Sequence, residues 1–166
     1  MGDPATGVGV GALALEVVVR QAQPSDAPGL RALYVELAED RADALPADEV
    51  TMQQTLADIA AQPHRHLLVA VGDGEEIVGT LDVLIVSNLT HQGRPWAIIE
   101  NVAVAARFRR HGIGRVLMAE AVDTARSEGC YKVQLLSGKQ RADEAHPFYR
   151  SLGFEAIAEG FKNYLN

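Results

Sequence analysis

The stretch from residue 97 to residue 136 constrains the fold more than any other. Residues 97–104 form a strand-like run that is apolar on both faces except at Glu100 and Asn101, as expected of a strand inside a sheet. Ile113, Val116, Leu117, Ala121 and Ala125 then recur at helical spacing and stop at Gly129, a residue suited to the left-handed cap position. Residues 131–136 read as another strand. This order predicts a parallel crossover, in which both strands share one sheet and the helix packs on its face.

The remaining segments supply the rest of such a sheet. Val17, Val18 and Val19 are β-branched, and Gln23-Pro24-Ser25-Asp26 offers turn chemistry and an N-cap for a helix carrying Leu30, Leu33 and Leu37. A second helix carries Val50, Leu56 and Ile59. Residues 67–71 and 77–86 are strand-like and flank Gly72-Asp73-Gly74, which predicts an antiparallel hairpin. A last short helix with Phe148, Tyr149 and Leu152 should stop at Gly153, before a closing strand or strand pair over residues 154–165. The order β-α-α-β-β-β-α-β-α-β predicts an α/β (α+β) fold, a sheet with helices on its faces.

Composition narrows the functional classes. With 166 residues the chain suits one domain, assigned here to residues 16–166. Residues 1–15, where Gly7, Gly9 and Gly11 alternate with valine or alanine, read as a loose tail; Met1-Gly2 with Thr6 also fits a myristoylation pattern formally. A net charge of −7 argues against a sequence-independent grip on nucleic acid. The one cysteine, Cys130, permits neither an internal disulfide nor a cysteine-rich zinc site and reads as a small buried residue, which fits a reducing cytoplasm. The chain has no apolar run near the roughly 20 residues that span a bilayer. His64-x-His66 lacks a third ligand, so no metal is expected. Ser87, Ser127 and Ser137 lie in no nucleophile-elbow context.

The chemistry is concentrated between the strand ending at Val104 and the helix beginning near Gly112. Arg107-Phe108-Arg109-Arg110-His111-Gly112-Ile113-Gly114-Arg115 combines glycines, which let backbone approach a ligand, with a helix start whose N–H groups and dipole favour an anion. Taken alone, the segment fits a surface turn with solvated arginines equally well. A Rossmann site would need a small residue where Leu117 stands and a shorter loop after the strand.

Arg109-x-x-Gly112-x-Gly114 resembles the acyl-CoA signature of the GNAT superfamily, the acetyl-CoA-dependent N-acetyltransferases. Ile99-Glu100-Asn101-Val102-Ala103-Val104 and His146-Pro147-Phe148-Tyr149-Arg150-Ser151-Leu152-Gly153-Phe154 resemble that superfamily's central strand and last helix. The resemblance implies a mixed sheet of six to seven strands with about four helices. It implies that backbone of Val102, Ala103 and Val104 binds the pantetheine arm like an added strand. The diphosphate would lie on Arg109, Arg110, His111, Gly112, Ile113, Gly114 and Arg115, mostly through amides. Ala142 stands where the family often has a coenzyme-contacting asparagine. Gly129-Cys130-Tyr131-Lys132 is similar to the same stretch in glucosamine-6-phosphate N-acetyltransferases, although relatives of many substrate classes share it.

Direct acetyl transfer needs a neutral amine, yet an alkylamine of pKa about 10 is almost wholly protonated at neutral pH. Glu100, on an otherwise apolar strand, is the candidate general base, directly or through water. It could instead face solvent or pair with an arginine. Strict alternation puts it on the same face as Val102 and Val104, and a bulge would change that parity. Tyr149 matches the family position of the acid that protonates the departing thiolate; its other reading is a core aromatic. His146 is left without a role. The acceptor would lie across from the coenzyme, near Asp40, Asp43, Asp48, Glu49, Asn88 and Trp96, whose carboxylates favour a cationic small amine or a peptide or protein amine. A homodimer is the superfamily's common habit. The rival reading is a non-catalytic acyl-CoA-binding sensor or regulatory module.

Overall fold

The computed structural model describes residues 17–38, 44–139 and 142–165. The tail at residues 1–15, together with Asp40 and Asp43, lies outside them. The elements are β1 (Val18–Gln21), α1 (Ala27–Ala38), α2 (Glu49–Ala60), β2 (Arg65–Val71), β3 (Ile77–Val86), β4 (Trp96–Val104), α3 (Ile113–Ser127), β5 (Val133–Leu135) and α4 (Ala142–Ser151). The five strands lie in chain order, antiparallel from β1 to β4, with β5 parallel to β4 as the crossover predicted. None of the helices described is long and apolar enough to cross a membrane.

The chain order follows from local chemistry. Pro24–Asp26 makes one tight turn before α1, and the Asp26 carboxylate turns back to accept the Gln23 N–H at 2.7 Å. Asp48 caps α2 by accepting from the Thr51 amide at 3.0 Å. The β2–β3 turn uses positive φ at Gly74 and Glu75 and closes with Gly72 N–H donating to Glu76 C=O. α3 ends at Ser127, with Gly129 at φ +72 beyond it, and α4 is followed by Gly153 at φ +86, both conformations that glycine adopts without strain.

Two apolar layers sandwich the sheet. One face packs Leu68, Leu81, Val83, Ala97 and Ile99 against Ile113, Leu117, Met118, Ala121 and Ala125 of α3. The other packs Leu67, Val69, Ile77 and Ala103 against Leu30 and Leu33 of α1 and Met52, Leu56 and Ile59 of α2. Val116, assigned to the buried stripe from its spacing, is 46% exposed, and Met118 holds that place instead. Cys130 is half-buried, with its thiol pushed up by burial and by the nearby Glu128 carboxylate, which disfavours the reactive thiolate.

Among the described residues the sheet has five strands rather than six to seven. Residues 154–165 form no strand, and Ile157, Phe161 and Leu165 are 85–91% exposed. Only three residues of β5 pair, so the edge beside them is too short to template another strand. β5 is itself shorter than residues 131–136; ahead of it the Tyr131 amide donates to the Pro95 carbonyl and the Tyr131 ring stacks on His91 at 3.9 Å.

Arg20 grips the buried Asp26 with two hydrogen bonds of 2.7 and 2.8 Å. The guanidinium holds the Asp26 carboxyl below its ordinary value, against the opposing push of burial. The stabilisation is therefore complete at neutral pH and lost as pH falls through that depressed value, below the ordinary carboxylate pKa of about 4. Asp26→Asn should cost about 2 kcal/mol at pH 7. Thermal melts of the two proteins should converge as the buffer is taken toward pH 3.

Candidate active site

The central strand breaks its own pattern. β3 and β4 pair Asp82 with Glu100 and Thr80 with Ala103, so Asn101 and Val102 together oppose Leu81. This is a β-bulge, with Asn101 at φ +53, a left-handed conformation that asparagine tolerates better than most residues. The extra residue shifts the parity. Ala97, Ile99, Val102 and Val104 all pack in the α3 layer, whereas Ala103 packs in the α1/α2 layer. Glu100, one residue beyond Ile99 and directly opposite Asp82, shares the α1/α2 side.

β4 also parts from β5. Their pairing covers only Ala97–Ile99 against Val133–Leu135. From Glu100 to Val104 the edge of β4 away from β3 has no strand beside it among the described residues. Such an edge can receive an extended ligand carrying amides.

At the end of that edge the chain passes through a tight turn at Ala106–Phe108 and enters α3. The amides of Arg110, His111, Gly112, Ile113 and Gly114 donate to no acceptor among the described residues. Arg115 differs from the expectation, because its amide donates to Gly112 C=O at 3.0 Å. Arg110 and Gly112 have φ of +66 and +86; left-handed residues within such a turn gather successive N–H groups into an anion-binding concavity. Gly114 has a packing reason as well, since a Cβ there would lie 3.3 Å from Phe148 of α4.

The arginines do different work. Arg107 pairs with Glu76 and lies over the Phe108 ring. Arg109 donates to Val104 C=O at 3.2 Å and lies 3.6 Å from Glu36 of α1, whose carboxylate also accepts the Ala106 amide at 2.5 Å. Arg115 reaches Ser151 of α4 at 3.0 Å. Arg110 is exposed and has no side-chain partner among the described residues. The ring of His111 meets Arg109 C=O at 2.8 Å.

Glu100 is half-buried and has no hydrogen-bonding or ionic partner among the described residues. Tyr149, on α4, packs against the α3 layer with its ring near Phe148 and Phe154. The two therefore stand on opposite faces of the sheet, on either side of the strand whose edge is open. His146 is half-buried in the same helix, and Ala142 begins it.

On the acceptor side, Asp48 is committed to its helix cap and Asn88 to the turn with Thr90. Glu49 is exposed, and Trp96 lies beneath the Lys132 ammonium. His64 precedes β2 rather than sharing a strand face with His66, and the described residues hold no cluster of three metal-ligating side chains. Asp82 and Glu36 escaped the sequence reading. The lone carboxylate within the apolar run Ile77–Val86 was a usable signal for Asp82; Glu36 gave none, being one more polar residue on a helix surface.

The sequence profile described as Acetyltransferase (GNAT) family matches residues 30–154. A solved structure from Agrobacterium tumefaciens str. C58, provisionally described as an acetyltransferase, is 37% identical with a TM-score of 0.79, covering 89% of this chain and 99% of that one. A transcriptional regulator from Bacillus halodurans C-125 is 34% identical with a TM-score of 0.77, covering 90% of this chain and all of that one. A glucosamine 6-phosphate N-acetyltransferase of Trypanosoma brucei brucei is 39% identical over 80 residues, 48% of this chain and 52% of that protein. That match spans about half of each. The chain belongs to the acetyltransferase (GNAT) family, whose enzymes take acetyl-CoA as acyl donor.

Gly112→Ala should distort the amide concavity, because alanine at φ +86 is strained by about 1 kcal/mol. Titration with CoA should show several-fold weaker binding while the far-ultraviolet circular dichroism stays unchanged.

Proposed function

We propose that this chain moves an acetyl group from acetyl-CoA to a primary amine by direct attack within a ternary complex. The observation that carries the reading is the pairing of an open strand edge at 100–104 with the free amides at 110–114, one continuous path for a pantetheine arm and its diphosphate.

In this reading the amide-bearing arm adds to the edge of β4 at Val102, Ala103 and Val104, and the amides of residues 110–114 receive the diphosphate. Arg109 and Arg110 stand beside it. The acceptor nitrogen attacks the thioester carbonyl carbon, the carbon–sulfur bond breaks, and the sulfur leaves with the electron pair. Before the attack Glu100 takes one proton from the acceptor ammonium, directly or through water; Tyr149 gives its proton to the thiolate, and the second proton, lost by the nitrogen as the amide forms, restores Tyr149 through solvent. A carboxylate with no competing partner suits the first task.

The acceptor is a small amine or a peptide or protein amine. The partial likeness to a glucosamine 6-phosphate N-acetyltransferase favours an amino sugar phosphate. A cationic acceptor draws less support than the sequence offered, since Asp48 serves as a cap. The likeness to a protein named as a transcriptional regulator favours a second reading, a regulatory module that binds acyl-CoA without turnover. Free-thiol release with acetyl-CoA and a panel of amino sugar phosphates, polyamines and lysine peptides separates them. Release with one acceptor class supports the enzyme, and CoA binding without release on any amine supports the module.

Glu100→Gln should lower turnover about a hundredfold at pH 7. The deficit should shrink at high pH, where the acceptor deprotonates unaided; unchanged kinetics would remove the base. Tyr149→Phe should reduce turnover with CoA affinity retained, and full activity would remove the acid.

A further inference from the structure

The α1/α2 face of the sheet carries a second carboxylate that the reaction does not use. Asp82, in the middle of β3, is 2% exposed and directly opposite Glu100 in the β3–β4 register. Side chains at such positions have Cβ atoms about 4.5–5.5 Å apart, and like charges there repel. Arg65 of β2 meets Asp82 with Nε at 3.0 and 3.2 Å and a terminal nitrogen at 2.6 Å. A planar guanidinium set on a carboxylate in this forked way is a strong and specific pairing. Glu100, in contrast, has no ionic partner among the described residues.

We propose that Arg65 and Asp82 are positioning residues that set the charge environment of Glu100. Arg65 cancels the buried Asp82 carboxylate, leaving Glu100 as the carboxylate free to take the acceptor's proton. This rests on the reading of Glu100 as the base. Among the described residues, the charged or titratable groups that interact at this corner are Asp82 from β3, Arg65 from β2 and Tyr34 from α1. Tyr34 interacts with Thr80, Asp82 and Arg65, and burial pushes its phenol above its ordinary value, so it stays neutral in the working range. From β5, the residue nearest in register is the uncharged Gln134, opposite Ile98.

The sign of each perturbation follows. Without Arg65, an uncompensated Asp82 charge makes Glu100 hold its proton more tightly. Without the Asp82 charge, the Arg65 cation makes Glu100 release it more readily. A purely structural pair would lower activity in both variants and move the pH profile in neither.

The test is the acid limb of the kcat/KM profile on full-length protein, with whichever acceptor the amine panel identifies. Arg65→Met should move the limb upward, and Asp82→Asn should move it downward, each by about one pH unit or more. Arg65→Lys, which keeps the charge, and the neutral double variant Arg65→Met/Asp82→Leu should both leave it near the wild-type position. Should Arg65→Met fail to fold, Asp82→Asn and the double variant decide the matter. Limbs that stay fixed, or that move in the same direction, overturn the proposal. Glu100→Gln separates the two claims. If it leaves the acid limb intact, the base assignment fails; if it abolishes the limb while the Arg65 and Asp82 variants leave it fixed, only this inference fails.

Discussion

One extra residue in the central strand organises the site. An uninterrupted β4 would alternate strictly, placing Glu100 with Val102 and Val104 on one face. The bulge at Asn101 ends that alternation and sends Glu100 to the α1/α2 side while Val102 and Val104 stay in the α3 layer. A carboxylate thus lies on the α1/α2 face without disturbing the hydrophobic packing beneath α3. The same strand parts from β5 beyond Ile99, so among the described residues no strand lines its outer edge where its side chains change register.

The loop after β4 continues this division of labour. Its side chains bind mostly to the protein itself: Arg107 to Glu76, Arg109 to Val104 C=O and Glu36, Arg115 to Ser151. Its amides at 110–114 are left over. Anchored side chains and spare N–H groups at a helix start favour an anion, and the proposed diphosphate would require little further ordering of the loop. Glu36 adds a tie between α1 and the turn that precedes the free amides. The α1 layer and the loop that leads into α3 are therefore tied together.

Buried carboxylates in the described residues are paired. Asp26 is held by Arg20, and Asp82 by Arg65, each with a forked set of hydrogen bonds. A buried carboxylate without such a partner would be costly. Glu100 escapes that cost because it is only half-buried. Among the described residues it has neither a hydrogen-bonding nor an ionic partner.

Periodicity in the sequence determined the crossover from β4 through α3 to β5, the hairpin of β2 and β3, and the glycine ends of α3 and α4, because each depends on residues a few positions apart. The composition of residues 107–115 marked the loop whose amides stay free for a similar reason: glycine and a helix start act locally. Tertiary structure alone decided the rest. Whether β4 bulged, and so which face Glu100 took, depended on its register against β3. Whether residues 154–165 became strands depended on a neighbouring edge that β5 is too short to offer. Asp82 and Arg65 lie 17 residues apart, and only the pairing of β2 with β3 brings them together, so no local pattern could reveal that a buried carboxylate next to Glu100 was already neutralised.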